Sequence, residues 1–211
     1  KVGTAISSRA DQATAASGFG AHYGSKRTFL VWPPKAYSVI NGIEESVEGY
    51  FLCAAIAGMV GYQGVGQGFT NLNVQGFSKL TYSSQYFSRA QLDAIAGGGT
   101  FIVYQETPSS ALRIRHQLST DVSSIEKREL SITKAVDYCS KILRLNIKSK
   151  IGSLNITDEM MANVGSLIQG LMMRLMEQSI VRSGSLDSIE IDSSNPDTLN
   201  VVVSLSPLYP C

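Results

Sequence analysis

The chain has 211 residues, 44% of them hydrophobic and 17% charged, so its composition is that of a globular protein with one large or two small domains. A net charge of +1 gives no sign of a nucleic-acid-binding protein. The three cysteines, Cys53, Cys139 and Cys211, have no metal-ligand spacing, and two lie in apolar helical patterns, which argues for a reducing compartment and against a disulfide framework.

The first part of the chain gives weak signals. The segment ISSRADQATAASGFGAHYGSK is rich in Ser, Ala and Gly, and it predicts a loop with a short strand. The apolar run in RTFLVWPPKAY ends at Pro33 and Pro34, because proline cannot donate to a β-ladder. Because the sequence starts at Lys1 rather than Met and stops soon after a strand-like run, we expect a fragment of a longer protein.

An uncharged, glycine-studded stretch runs from Gly49 to Phe77. Its apolar part, Tyr50 to Tyr62, is shorter than the roughly 20 residues that a membrane-spanning helix needs. We predict a helix from Glu44 to Val60, whose small residues would let another backbone approach closely. The glycines at 58, 61, 64, 66 and 68 are not followed by Gly-Lys-Ser or Gly-Lys-Thr, which argues against a phosphate-binding loop.

A short helix and a β-hairpin are predicted next. FSRAQLDAIAGGG indicates a helix capped by Ser88 and ended by the glycines at 97 to 99. TFIVYQET and ALRIRHQLST are strand-like and are joined by the turn residues TPSS. His116 lies on the apolar face of the second strand, where a core or sheet-edge histidine is a better interpretation than a catalytic one, since no acidic or nucleophilic partner is patterned around it.

Two long amphipathic helices are expected at about 124 to 149 and 157 to 181. Ser123 and Glu126 fit a capping box for the first, and Thr157 caps the second. In the first helix, lysines recur every seven residues on the face opposite the apolar one, at Lys134, Lys141 and Lys148. By default this stripe is a solvated surface, and a contact with a partner subunit or an inner tube is the alternative.

The last segment predicts a hairpin with a turn at 194 to 197. Its second strand alternates apolar side chains, which are Leu199, Val201, Val203 and Leu205. From Ser183 onward every charged residue is acidic, whereas those from Lys141 to Lys150 are all basic, and this asymmetry permits pairing between copies. Together the elements predict an α+β fold, a mixed or antiparallel sheet built from segments near 100–106, 111–120, 187–192 and 198–205, with the long helices against it.

Catalytic motifs are missing from the sequence. It has two histidines, no Gly-x-Ser-x-Gly elbow and no zinc-ligand spacing, so we expect no enzyme activity, no cofactor and no metal site.

Four segments in a fixed order resemble the C-terminal half of contractile tail sheath proteins of bacteriophages. They are VEGYFLCAAIAGMVGYQGVGQGFTNLNVQGF, FSRAQLDAIAGGGTFIVYQET, RIRHQLSTD and KRELSITKAVDYCSKILRLNIKSKIG. The resemblance implies a sheath domain over 33–211 that lacks its last strand, preceded at 1–32 by a linker or the end of another domain. In that interpretation Lys134, Lys141, Lys148, Leu199, Val201 and Val203 are candidate contacts with a subunit or the tube.

The resemblance also implies a function. Sheath subunits assemble into a helical cylinder around an inner tail tube, between a baseplate and a tail terminator, and contract to drive the tube through a cell envelope. Genome delivery by a virion tail assembled in the host cytoplasm is the implied role, without nucleic-acid binding or membrane insertion. Two alternatives remain open: the sheath of a bacterial secretion system or bacteriocin, and a small-ligand or nucleotide-binding enzyme domain that uses the glycine-rich segment at 58–68.

Overall fold

The computed structural model describes residues 8–82, 86–150, 152 and 155–210, and these divide into two compact units, 1–133 and 134–211. The helices are α1 (Arg9–Tyr23), α2 (Gly49–Tyr62), α3 (Arg89–Gly97), α4 (Ile125–Arg128), α5 (Leu130–Lys148) and α6 (Asp158–Glu177). The strands are β1 (Leu30–Trp32), β2 (Lys35–Ile40), β3 (Ile43–Glu48), β4 (Lys79–Leu80), β5 (Thr100–Gln105), β6 (Leu112–His116), β7 (Val181–Ile191) and β8 (Leu199–Pro207). The predicted α+β class is confirmed.

The first unit contains two small sheets. In one, β5 lies between β1, to which it is parallel, and β6, to which it is antiparallel. Alternate residues of β5 face opposite sides: Phe101 and Val103 pack in a cluster with α2, and Ile102 packs with residues of α1 and α3. Helices therefore cover both faces of this sheet. The other sheet has the antiparallel order β3-β2-β4.

The second unit is simpler. Strands β7 and β8 form an antiparallel two-stranded sheet, and α6 packs against β7. A β-carbon at Gly165 would lie 3.4 Å from Leu186 and Ile189, and one at Gly184 would approach the sulfur of Met172 to 2.6 Å, so the helix and the sheet pack closely at these two glycines. The predicted single sheet is therefore wrong in one respect, because 100–106 and 111–120 pair in a different sheet from 187–192 and 198–205. Coverage by α6 leaves one face of the last hairpin half-buried.

The local signals that predicted α3, the β5–β6 hairpin and α6 are confirmed. Ser88 forms a capping box with Gln91. The turn between β5 and β6 closes with a 3.0 Å hydrogen bond from the Ser110 N–H to the Thr107 carbonyl oxygen. The Thr157 hydroxyl accepts the Met160 N–H at 3.2 Å, and α6 ends at Glu177, a few residues before the predicted end.

Other predictions need correction. The segment expected to be a loop forms α1, which the Ser8 side chain caps and which Gly24 ends at a positive φ of 50°. The helix expected from Glu44 starts only at Gly49, because 43–48 pairs with β2 as a strand. The expected capping box at Ser123 is wrong as well: Ser124 is the N-cap, and the Ser123 hydroxyl donates to the Asp121 carboxylate at 2.6 Å.

The boundary predicted between residues 32 and 33 remains a proposal. Residues on both sides of it pack in the same unit, since α1 contacts α3 and β1 pairs with β5. The boundary between the two compact units instead lies after Thr133, within α5.

Candidate functional site

In the described part of the chain, no three His, Cys, Asp or Glu side chains gather closely enough to hold a metal ion. His116 is half-buried on β6, the edge strand of its sheet, and burial, with a smaller contribution from Arg115, lowers its pKa. Arg115 itself pairs with the Asp93 carboxylate at 2.6 Å. His116 thus occupies the sheet-edge position expected from the sequence.

The glycine-rich segment does not form a phosphate-binding loop. Gly58 and Gly61 belong to α2, and the remaining glycines of this segment follow that helix rather than precede one. A phosphate loop needs a strand followed by a helix whose N-terminus points at the anion. The nucleotide-binding alternative is therefore not favoured. Within the described residues, no helix is long and apolar enough to span a bilayer.

The three lysines of the predicted stripe differ in their exposure to solvent. Lys141 and Lys148 are exposed on α5, with the exposed Arg144 between them. Lys134 is half-buried, and this burial lowers its pKa. A partner approaching this face would therefore meet Lys141 and Lys148 first.

The apolar residues predicted on β8 lie on one face of the strand. Leu199, Val201 and Val203 are half-buried, and the residues between them are exposed. Leu199 and Val201 line a groove of about 360 Å³ with residues from α5, α6 and the segments between elements. Its other lining residues are Ile147, Lys150, Gly152, Ile156, Met160, Val164, Asp197 and Thr198. The groove places two of the predicted contact residues on a concave, largely apolar surface.

The acidic hairpin is held in shape at its turn by Asp192. Its carboxylate accepts the N–H groups of Ser194 and Asn195 at 2.8 and 2.9 Å and the side-chain amide of Asn200 at 2.9 Å. These hydrogen bonds, the one from Asn200 above all, hold the pKa of Asp192 below its usual value.

We expect the order of this turn to depend on pH. Because the folded-state pKa of Asp192 is lowered, its contribution is present above the unfolded pKa and is lost as the pH falls through the folded value. Amide hydrogen exchange at Ser194 and Asn195 should accelerate, relative to the intrinsic rate, as the pH falls through that range. The Asp192→Ala variant should exchange fast at every pH, and Glu190→Ala, on the adjoining strand, should behave as wild type. Identical protection in wild type and Asp192→Ala would contradict this assignment.

Comparison with known proteins places the fold. No protein-family model matches the sequence, and no curated protein matches it. Among solved structures, the helical sheath of the anti-feeding prophage in its contracted state is similar with a TM-score of 0.71 and 12% identity, over 89% of this chain and 54% of that one. A sheath tail protein from Listeria innocua is similar with a TM-score of 0.65 and 14% identity, over 97% of this chain and 52% of that one.

A sheath tail protein from Desulfitobacterium hafniense also matches, with a TM-score of 0.64 and 12% identity, over 89% of this chain and 47% of that one. The chain has the fold of tail sheath proteins, as the order of its motifs indicated, and it spans about half the length of these structures. At 12–14% sequence identity, this similarity establishes a shared fold.

Proposed function

We propose that this chain is part of a structural subunit of a contractile tail sheath. The observation that carries the proposal is the similarity of its fold to sheath proteins over 89% or more of its length. It is supported by the sequence order of the four sheath-like segments. The subunit polymerises around an inner tube and shortens on a trigger, so that energy stored in the extended lattice drives the tube through an envelope.

Within this class we favour a phage tail that delivers a genome and is assembled in the host cytoplasm. The sheath of a bacterial injection machine has the same mechanical role and is the alternative. The partners of the subunit are further copies of itself, the tube, the baseplate and the tail terminator. One of the similar structures is the baseplate of the anti-feeding prophage, which supports the baseplate as a partner class. Capsid genes beside this gene would favour the phage tail.

Negative-stain microscopy tests the class. The protein should be expressed with whatever coding sequence flanks these 211 residues in its gene, since similar sheath structures are about twice as long. We expect tubes or collapsed cylinders. Dispersed particles at all concentrations, together with a large increase in melting temperature on adding nucleotides, would instead indicate a nucleotide-binding domain.

The six contact residues predicted from the sequence form two parts of the proposed assembly surface. The strand β8 has an edge unpaired by any described strand, and sheath resemblance implies that strands are exchanged between neighbours, so Leu199, Val201 and Val203 would lie beside a donated strand. We expect the 211-residue chain to be monomeric or weakly associated and the extended chain to polymerise. Analytical ultracentrifugation of both decides the matter, and stable ordered polymers of the shorter chain would contradict strand exchange.

The lysine stripe forms the other part, facing an acidic tube or the acidic hairpin of a neighbour. Reversing Lys141 and Lys148 together to Glu should weaken assembly at low salt, and the effect should fade as salt is added, because exposed ion pairs are worth about 1 kcal/mol or less and are screened. Lys134 stays unchanged, since its half-buried side chain would perturb the fold. The charge-preserving double change to Arg is the control. Equal assembly of the Glu and Arg variants at low salt would show that the stripe is ordinary solvated surface.

A further inference from the structure

A single extended residue, Glu129, separates α4 from α5. It has φ −87° and ψ 120°, whereas the residues on both sides of it are helical. Its N–H donates to the Ile125 carbonyl oxygen at 3.2 Å, and its own carbonyl oxygen accepts the Thr133 N–H at 3.2 Å, both with the spacing of an α-helix. Helical hydrogen bonding therefore reaches the break from both sides, and a change of chiefly one ψ angle separates this arrangement from a continuous helix.

The break is held by the segment that follows β6. The Leu130 N–H donates to the Gln117 carbonyl oxygen at 3.1 Å, and the Ser119 N–H donates to the Arg128 carbonyl oxygen at 2.7 Å. The Ser119 hydroxyl donates to the Lys127 carbonyl oxygen at 2.9 Å. Three groups that a helix would bond internally are thus bonded to another part of the chain.

A continuous helix would satisfy the same three groups. The Leu130 N–H would donate to the carbonyl oxygen four residues before it, and the carbonyl oxygens of Lys127 and Arg128 would accept N–H groups four residues after them. Only Gln117 and Ser119 would lose partners. Ser119 is fully buried, and a buried N–H without an acceptor is unfavourable, so the broken helix is the preferred arrangement.

The pattern of apolar residues fits the continuous helix better than the broken one. The sequence predicts one helix at 124–149, yet in the structure Ile125 is 45% exposed and no residue of α4 is buried. Because seven residues are about two turns, Ile125 would lie on the same face as Ile132 and Val136 if the helix were continuous. In α5, Ile132 is buried and Val136 half-buried. The exposed Ile125 is therefore in phase with a face that it does not join.

From these features we infer that residues 124–130 form a conformational switch with two arrangements. In the observed one, Glu129 is extended and its neighbours are hydrogen-bonded to residues 117–119. In the other, one helix runs from Ile125 to Lys148 and residues 117–119 are released. A subunit that exists in an extended and in a contracted lattice requires an element with two discrete arrangements. The inference thus deepens the proposed function, and the role of the switch in contraction rests on that function.

Amide hydrogen exchange of the 211-residue chain distinguishes the switch from simple unfolding of α4. In the continuous helix the Ser119 N–H loses its acceptor, whereas the Leu130 N–H gains one inside the helix. Relative to the intrinsic rates, Ser119 should therefore exchange at least about tenfold faster than Leu130, through a minor state populated at roughly 0.1–10%. Equal relative rates would mean that the two amides open together by local unfolding, and this would overturn the inference.

Two substitutions of Glu129 should shift the switch in opposite directions. Both remove the carboxylate that pairs with the Arg128 guanidinium at 3.4 Å. Alanine favours helix and valine favours extended backbone, by amounts that correspond to about threefold in the equilibrium. Ser119 should therefore exchange about threefold faster in Glu129→Ala than in Glu129→Val, while Leu130 exchanges equally in both. The same Ser119 rate in the two variants would contradict the switch.

Ile125→Gln supplies an independent measurement. It removes an apolar side chain that only the continuous helix would bury, so Ser119 exchange should slow by about threefold or more. Val122→Gln is the matched control, because Val122 is similarly exposed, at 38%, and precedes the helix in both arrangements. Its Ser119 exchange should equal that of wild type. Slowing in both variants, or in neither, would count against the second arrangement.

The outcomes for the switch and for the proposed function are separable. If the protein with its flanking sequence forms tubes but Ser119 and Leu130 exchange together, the sheath assignment stands and the switch is wrong. If their exchange differs as expected but tubes or cylinders never form, the switch stands without the sheath. Where both are found, mass spectrometry should show different exchange at 117–119 in extended and contracted tubes, and equal exchange would mean that the switch has no part in contraction.

Discussion

Replacing Gly20 with alanine is expected to destabilise the first unit by about 3 kcal/mol, as forced overpacking does. Gly20 lies where α1 crosses the end of α3, and a β-carbon there would sit 2.2 Å from the carbonyl oxygen of Gly98. The clash is with backbone, which cannot turn away as a flexible side chain could. The two helices would have to separate, and the cluster that contains Ala13 and Ile95 would lose contacts.

Gly18→Ala is the control, on the same helix. A β-carbon at Gly18 meets nothing within 4 Å, so this variant should be more stable than wild type by about 0.5–1 kcal/mol. Urea unfolding monitored by circular dichroism would show midpoints shifted in opposite directions. Equal midpoints for the two variants would mean that α1 does not pack on α3.

Helix α1 shows why some helices cannot be predicted from hydrophobic periodicity. Its end signals are present, since Ser8 caps it and Gly24 follows it. Its packing face, however, is made of Ala13 and Gly20 rather than large apolar residues, so no periodic stripe marks it. A helix that packs through small residues at close range leaves little hydrophobic pattern to find. In α5 and α6, by contrast, large apolar residues repeat on one face, and the sequence predicts both. The single helix predicted at 124–149 is nevertheless wrong at its start, because Glu129 is extended and divides it into α4 and α5.

The sequence itself contains a signal that would have placed the start of α2 correctly, after β3. Asn41-Gly42 is a strong hairpin signal, and it lies just before the segment predicted as helix. The sequence contains no comparable signal for which strands share a sheet. Pairing of β1 with β5 joins residues about 70 positions apart, and no local pattern specifies a partner at that distance.

The candidate surfaces were predictable to different degrees. Alternation along β8 identified Leu199, Val201 and Val203 as one face, and the structure shows that face to be half-buried. The lysine repeat indicated the outer face of α5 but not the partial burial of Lys134, which depends on tertiary packing. The exposure of Tyr50 and Tyr62 on α2 could not be predicted, because an apolar helix has the same sequence whether another element covers it or not.

A second large effect is expected at Gln117, a buried polar side chain of the first unit whose amide forms a hydrogen bond through its oxygen and another through its nitrogen. Gln117 is 1% exposed, its Oε1 accepts the Phe69 N–H at 3.0 Å, and its Nε2 donates to the Ser131 hydroxyl at 3.0 Å. It therefore ties the end of the glycine-rich segment to the start of α5. Gln117→Leu keeps the approximate volume but leaves the buried Phe69 N–H without its acceptor, which should cost about 2–3 kcal/mol of unfolding free energy at any pH.

Gln117→Glu separates the hydrogen bonds from the packing. A protonated carboxyl at this position can accept from Phe69 and donate to Ser131 as the amide does, whereas a buried carboxylate is penalised, so burial should raise the pKa of the new side chain. The carboxyl's contribution is then present below its unfolded pKa of about 4.3 and is lost as the pH rises through the folded value. Urea midpoints of Gln117→Glu should approach wild type near pH 4 and fall toward those of Gln117→Leu at pH 7. Parallel pH profiles for the two variants would mean that Gln117 acts through its shape alone and that the glycine-rich segment is held by other contacts.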